Sequence, residues 1–128
     1  MLLYDAAVQV LIIDDEEEAR FILRLSLERI GGMTVIEAAC GEDGVEHARL
    51  TLPDVILLDV NMPGLDVVET FRALRAQEET AVTPIVFLTG QARKGDVEHL
   101  VRLEPAGILG KPFNPLTLAQ ELRDLLRS

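Results

Sequence analysis

Cysteine is almost missing from this 128-residue chain: Cys40 stands alone, which excludes an internal disulfide framework and fits a reducing compartment. Cations are scarce too. Twelve Lys and Arg face twenty-two Asp and Glu, a net charge of −10. Such a surface lacks the bases that release counterions from a phosphate backbone, so direct nucleic-acid binding is not expected. Long apolar runs are absent as well. The longest charge-free stretch, residues 80–92, falls short of the roughly 20 apolar residues that cross a bilayer, so no membrane insertion is expected. Residues 1–4 carry no basic flank and acids follow at once, so no signal peptide is expected and the location is read as cytoplasmic. Internal repeats, low-complexity tracts and linkers are missing, and the length suits a single domain over 1–128.

What is present is an alternation of apolar runs with amphipathic stretches, the pattern of an α/β parallel sheet. The first strand is expected at 8–13, ending in Asp14-Asp15. A helix follows with Ala19, Ile22, Leu23, Leu27 and Ile30 facing inward, closed by Gly31-Gly32. The second strand, 34–39, leads past Gly41 to a short helix carrying Val45 and Ala48. Pro53-Asp54 introduces the third strand, whose run Val-Ile-Leu-Leu enters Asp59 before Pro63-Gly64 forces a turn. An uninterrupted apolar run of this kind suits a strand buried on both faces. Its helix is expected at about 66–75, burying Val68, Phe71 and Leu74. The fourth strand, 85–88, delivers Thr89 and Gly90, and the fourth helix spans about 96–103 with Val97, Leu100 and Val101. A weak last strand at 107–110 ends at Lys111-Pro112. Asn114 as cap and Pro115 at the first helical position open the last helix, with Leu118, Leu122 and Leu125 inward. Eight units and about 250 residues would be needed for a barrel, so five units point to an open doubly wound sheet.

In such a sheet, ligands bind outside the carboxyl ends of the strands. Four strands deposit polar residues at that edge: Asp14 and Asp15, Asp59, Thr89, and Lys111. If the first and third strands are neighbours, three carboxylates converge, and their repulsion calls for a hard divalent cation. Magnesium, with manganese as a substitute, takes such oxygen ligands together with water and a phosphate. Lys111 offers a compact charge for a phosphoryl oxygen, and Thr89 a hydroxyl donor. Together these parts describe phosphoryl transfer to Asp59. Each also has a simpler role: Asp15 with Glu18 reads as a capping box, Thr89 as a strand-to-loop residue, Lys111 as an exposed lysine ahead of a turn.

Asp-Asp-Glu after the first strand, Leu-Leu-Asp-Val-Asn-Met-Pro-Gly at the third, Leu-Thr-Gly at the fourth and Lys-Pro-Phe after the fifth resemble receiver domains of two-component response regulators. The resemblance covers about residues 7–126. It implies a flavodoxin-like sheet in the order 2-1-3-4-5 with five helices. It also implies Asp59 as phosphoacceptor, with Asp15 and Asp59 binding magnesium directly, Asp14 largely through water and Asn61 through its backbone carbonyl. Thr89 and Lys111 would contact the phosphoryl group, assisted by the Gly90 amide. The Lys111-Pro112 peptide would be cis, and the side chains of Asn61 and Gln91 would tune hydrolysis. The domain would be no enzyme in its own right, catalysing only its own phosphorylation and slow autodephosphorylation. Its phosphodonor would be a sensor histidine kinase or a histidine phosphotransfer protein. Output to a downstream protein would run through the face of helix 4, strand 5 and helix 5, with homodimerisation left open.

Three departures from the family pattern stand out. Val67 replaces a frequent glycine, which would shift the start of the third helix. Glu104-Pro105 replaces Gly-Ala, which removes a helix-ending glycine. Ile108 occupies the place of an aromatic that swings inward with the Thr89 equivalent, so an aromatic-rotamer switch is not expected. Among other readings, a haloacid dehalogenase would carry its nucleophile after the first strand with a second Asp two residues on, where Asn61 stands. A flavodoxin would need a phosphate-binding first loop, which residues 14–18 would repel. The remaining alternative is an interaction module of the same fold that works without phosphorylation.

Overall fold

The computed structural model describes residues 8–61, 67–90 and 94–127, leaving aside the side chains of 94–97. Five parallel strands, β1 (Gln9–Ile13), β2 (Thr34–Ala38), β3 (Val55–Asp59), β4 (Ile85–Thr89) and β5 (Gly107–Gly110), form one sheet in the order β2-β1-β3-β4-β5. Helices α1 (Glu17–Leu25), α2 (Gly41–Thr51), α3 (Val67–Ala76), α4 (Lys94–Val101) and α5 (Leu118–Arg127) alternate with them. This is the flavodoxin-like doubly wound arrangement.

Period-two side-chain alternation divides the core into two layers. Val10, Ile12, Leu57 and Leu88 face α1 and α5, meeting Leu23, Leu27, Leu118 and Leu122. Leu11, Ile13, Leu58 and Phe87 face the other way, onto Ala48, Phe71, Leu74 and Leu100 of α2, α3 and α4. β3 lies at the centre and is buried at every position, as its unbroken apolar run requires. Gly44 lets α2 lie close on β1, because a Cβ there would collide with the Ile13 side chain. Register pairs Ile13 with Leu58, Asp59 with Leu88 and Thr89 with Gly110, so the carboxyl ends of β1, β3, β4 and β5 finish at nearly one level.

Several local expectations are corrected. The apolar period of α1 places Ile22 and Ile30 inside, yet they are 44% and 51% exposed. Leu23 and Leu27 hold the buried stripe, and Ile22 sits about 100° around the helix from Leu23. Beyond Leu25 the helix widens into a π-helical turn, Ser26–Ile30, with the Gly31 N–H donating to the Ser26 carbonyl five residues back at 3.1 Å. That extra residue rotates Ile30 off the stripe. Val101, one position past buried Leu100, is likewise turned to solvent, at 54%. The capping box does not form: α1 starts at Glu17, its N-cap position is Glu16, and no side chain caps it. Asn114 does cap, its Oδ1 accepting from the Leu116 N–H at 3.0 Å, although the regular helix begins only at Leu118. Val97 lies outside the described side chains.

Two chain reversals run through non-glycine residues in the left-handed region, Leu52 (φ 51°) and Glu104 (φ 57°), each just before a proline. Glu104 thus adopts the conformation that the absent helix-ending glycine would supply. Left-handed backbone costs an L-residue about 1–2 kcal/mol, and a following proline disfavours helical backbone further. Because Leu52 is largely exposed, Leu52→Gly should raise stability by about 0.5–1 kcal/mol after glycine's own entropy loss is subtracted. A urea midpoint lower than wild type would contradict this reading.

Candidate functional site

β1 ends at Ile13, and the chain turns at Asp14 with its N–H still held by the Ala38 carbonyl of β2 at 3.1 Å. The Asp14 side chain is fully buried. Its Oδ1 accepts the Glu16 N–H at 3.0 Å, and its Oδ2 accepts Lys111 Nζ at 2.8 Å. Asp59, the last residue of the central strand, is 1% exposed, and its Oδ1 accepts the Asn61 N–H at 3.0 Å. Lys111 Nζ lies 3.6 Å from Asp59 Oδ2 and 3.6 Å from Glu16 Oε1, so one ammonium stands among three carboxylates. Lys111 is drawn to this place through its backbone: its N–H donates to the Thr89 carbonyl at 2.8 Å, locking the ends of β4 and β5 together. The Lys111–Pro112 peptide is cis.

Asp14, Asp15 and Asp59 each present an oxygen within 4.8 Å of the others'. Asp15 is exposed, whereas Asp14 and Asp59 are not. The site is therefore an acidic cup, closed below by the sheet and open at the Asp15 side. Burial pushes the Asp59 carboxyl up to about 6; the Asn61 N–H opposes this, the Asp14 charge reinforces it and Lys111 opposes it. Burial also pulls Lys111 down, but its hydrogen bond to Asp14 and the charges of Asp59, Asp14 and Glu16 outweigh that and hold it above the usual lysine value. Acid-acid repulsion that Lys111 relieves only in part, with hard oxygen donors at this spacing, fits a small divalent cation.

Asn61, Gly90, Lys111 and Glu16 line a cavity of about 230 Å³ beside these acids. The Gly90 N–H, expected to assist a phosphoryl group, instead donates to Asn61 Oδ1 at 2.9 Å. Thr89 is buried at the rim, 8% exposed. Ile108 packs partly buried on the core layer of α2, α3 and α4. Gln91 lies outside the described residues. The structure thus gathers Asp14, Asp15, Asp59 and Lys111 at one point. Two further residues join them: Glu16, quoted in the Asp-Asp-Glu motif but given no role there, and Arg20, which lies outside the motifs. Glu16 gives Lys111 a third carboxylate, and Arg20 of α1 donates from Nη1 to the Asp14 main-chain carbonyl at 2.7 Å. A signal for Arg20 was present in the sequence: Glu37 interrupts the apolar run Val35-Ile36 inside β2, and a half-buried carboxylate needs a cation.

The pattern described as "Response regulator receiver domain" matches residues 10–123. Protein PilH of Pseudomonas aeruginosa is 33% identical over 118 residues, covering 92% of this chain and 97% of PilH. The alkaline phosphatase synthesis transcriptional regulatory protein PhoP of Bacillus subtilis is 34% identical over 119 residues, covering 93% of this chain but 48% of PhoP. AfsQ1 of Streptomyces coelicolor, a transcriptional regulatory protein, is 38% identical over 120 residues, covering 92% and 51%. The chain thus spans about half the length of these two regulators. Among solved structures, the chemotaxis protein CheY4 of Vibrio cholerae superposes with a TM-score of 0.85 at 33% identity, covering 94% of this chain and 99% of CheY4.

Proposed function

The chain belongs to the response regulator receiver family, and from that premise we propose that it accepts a phosphoryl group on Asp59 from the phosphohistidine of a kinase or phosphotransfer protein. The observation that carries this reading is the buried Asp59 carboxylate, 3.6 Å from the Lys111 ammonium and within 4.8 Å of the Asp14 and Asp15 oxygens. An Asp59 oxygen attacks phosphorus, an O–P bond forms as the donor's N–P bond breaks, and a proton returns to the leaving imidazole. Asp15 and Asp59 would hold the cation directly, Asp14 through water, and Asn61 by its backbone carbonyl. When bound, magnesium or manganese screens the charge that builds on the phosphoryl oxygens. Lys111 supplies the second positive charge. The Thr89 hydroxyl donates to the same oxygens, and the Gly90 N–H joins it once Asn61 Oδ1 has moved aside. Water then returns Asp59 slowly to its free form.

The proposed setting is the cytoplasm; no helix among the described residues is long and apolar enough to cross a membrane. The phosphorylated state would be read by a protein partner at the face of α4, β5 and α5. There half-buried Ile108 replaces the usual aromatic, so the response would pass through backbone and packing rather than a ring flip. The test is incubation with phosphoramidate followed by intact-mass analysis. One phosphoryl group should appear with magnesium and none after chelation. Uptake indifferent to chelation would overturn the metal-assisted reading.

A further inference from the structure

Arg20 projects from the first turn of α1 toward the sheet, and its guanidinium is mostly withdrawn from solvent, with 16% of the side chain exposed. Its Nε donates to Glu37 Oε1 of β2 at 2.9 Å, while Nη1 reaches the Asp14 carbonyl at 2.7 Å. Arg24, one turn on, binds the other Glu37 oxygen at 2.7 Å but makes no described contact with the Asp14 loop. The two arginines share a carboxylate, and only one of them touches the acidic cup.

That difference separates helix docking from site building. A half-buried ion pair is weak evidence for stability, because desolvation consumes much of its attraction. A strand that ends, however, leaves its next carbonyl without a ladder partner, and such groups must be satisfied. The Asp14 carbonyl is that group. With the Arg20 bond in place, all four polar atoms of Asp14 are engaged: N by Ala38, O by Arg20, Oδ1 by Glu16 and Oδ2 by Lys111. The residue can neither rotate about its peptide nor withdraw its carboxylate, and Asp15 follows it directly in the chain.

We propose that Arg20 is a positioning residue of the cation site: anchored on Glu37, its guanidinium holds the Asp14 carbonyl and so fixes the acids at 14 and 15 in their converging arrangement. The planar fork is what allows one side chain to bridge a strand carboxylate and a loop carbonyl; a lysine supplies charge without the second fixed arm. The inference rests on the reading of Asp14, Asp15 and Asp59 as a divalent site. Residues that orient ligands typically influence metal affinity by about 10–100-fold. Arg20 should fall toward the lower end of that range, because it acts through the backbone.

The test is calorimetric titration of magnesium into wild type, Arg20→Ala, Arg20→Lys and Arg24→Ala, with amide hydrogen exchange at residues 15 and 16 in the metal-free proteins. Arg20→Ala should bind magnesium about tenfold more weakly and exchange faster at those amides, with Arg20→Lys restoring little. Arg24→Ala, which loses its pairs with Glu37 and Glu28 but no contact with Asp14, should bind as wild type does. Equal weakening in both alanine variants, or wild-type affinity in Arg20→Ala, would overturn the positioning role while leaving the cation site standing. Wild type that binds no magnesium would remove the site, and the inference with it.

Discussion

Asp59→Asn should fail to take up a phosphoryl group and, in metal-free buffer at neutral pH, should be more stable than wild type by about 2–3 kcal/mol. The first outcome follows because the amide lacks the nucleophilic oxygen. The second follows from linkage. Burial, with the Asp14 charge adding to it, raises the folded-state carboxyl to about 6 from an ordinary value of 3.8. Between those two pH values the folded chain holds a proton that the unfolded chain has released, so stability falls as pH rises through this window. The full difference, near two pKa units, corresponds to about 2–3 kcal/mol, and above pH 6 wild type carries all of it. An asparagine has no such cost. The advantage of the variant should therefore be greatest above pH 6, shrink as pH drops and vanish below about pH 4. Magnesium should stabilise wild type and leave the variant nearly unmoved. Urea unfolding across pH 4–8, with and without magnesium, would check each arm; a variant less stable than wild type at pH 7.5 without metal would contradict the reading of Asp59 as a carboxylate whose charge is disfavoured by burial.

Lys111→Ala should have the opposite sign. The ammonium is the one described cation within 4 Å of both buried carboxylates, Asp14 and Asp59. Removing one partner of a buried pair typically costs 3–5 kcal/mol, and the partial exposure of Lys111 argues for less, about 2–3 kcal/mol in metal-free buffer. Added magnesium would then be the sole neutralising charge, so it should bind still and restore more stability than it gives wild type. Phosphorylation should suffer differently. Without Lys111 the phosphoryl oxygens lose one of their two countercharges, so transfer should slow by two orders of magnitude or more. What phosphate is gained should leave affinity for a downstream partner unchanged. Thermal shifts against magnesium and partner binding after beryllofluoride treatment separate these effects. A variant that loses magnesium binding, or binds partner as phosphorylated wild type does, would refute this division of labour.

Much of this was legible in the sequence, and for reasons that can be stated. β3 could be read because an unbroken Val-Ile-Leu-Leu run has no other comfortable place than the middle of a parallel sheet, and every one of its residues is buried. Asp59, Asp14 and Lys111 could be placed at one edge because strand ends share a level once the order is fixed. Alternation alone did not fix that order; the family resemblance did. The sequence misled where local geometry departs from an ideal helix. Ile22 and Ile30 fit a 3.6-residue period, but the stripe belongs to Leu23 and Leu27, and the π-helical turn displaces Ile30. Asp15 and Glu18 satisfied a capping pattern that Asp14 pre-empts by accepting the Glu16 N–H itself. A contact set by tertiary proximity, such as Asn61 on Gly90, left no pattern in spacing.

Asp59, rather than either acid beside it, should carry the phosphoryl group in a metal-dependent way. Reducing the phosphoramidate-treated protein with borohydride, which converts an acyl phosphate at aspartate to homoserine, and mapping the product by tandem mass spectrometry would identify the acceptor. Homoserine at position 59 alone, and only when magnesium was present, is the result expected. Homoserine at 14 or 15, or at 59 regardless of magnesium, would contradict it.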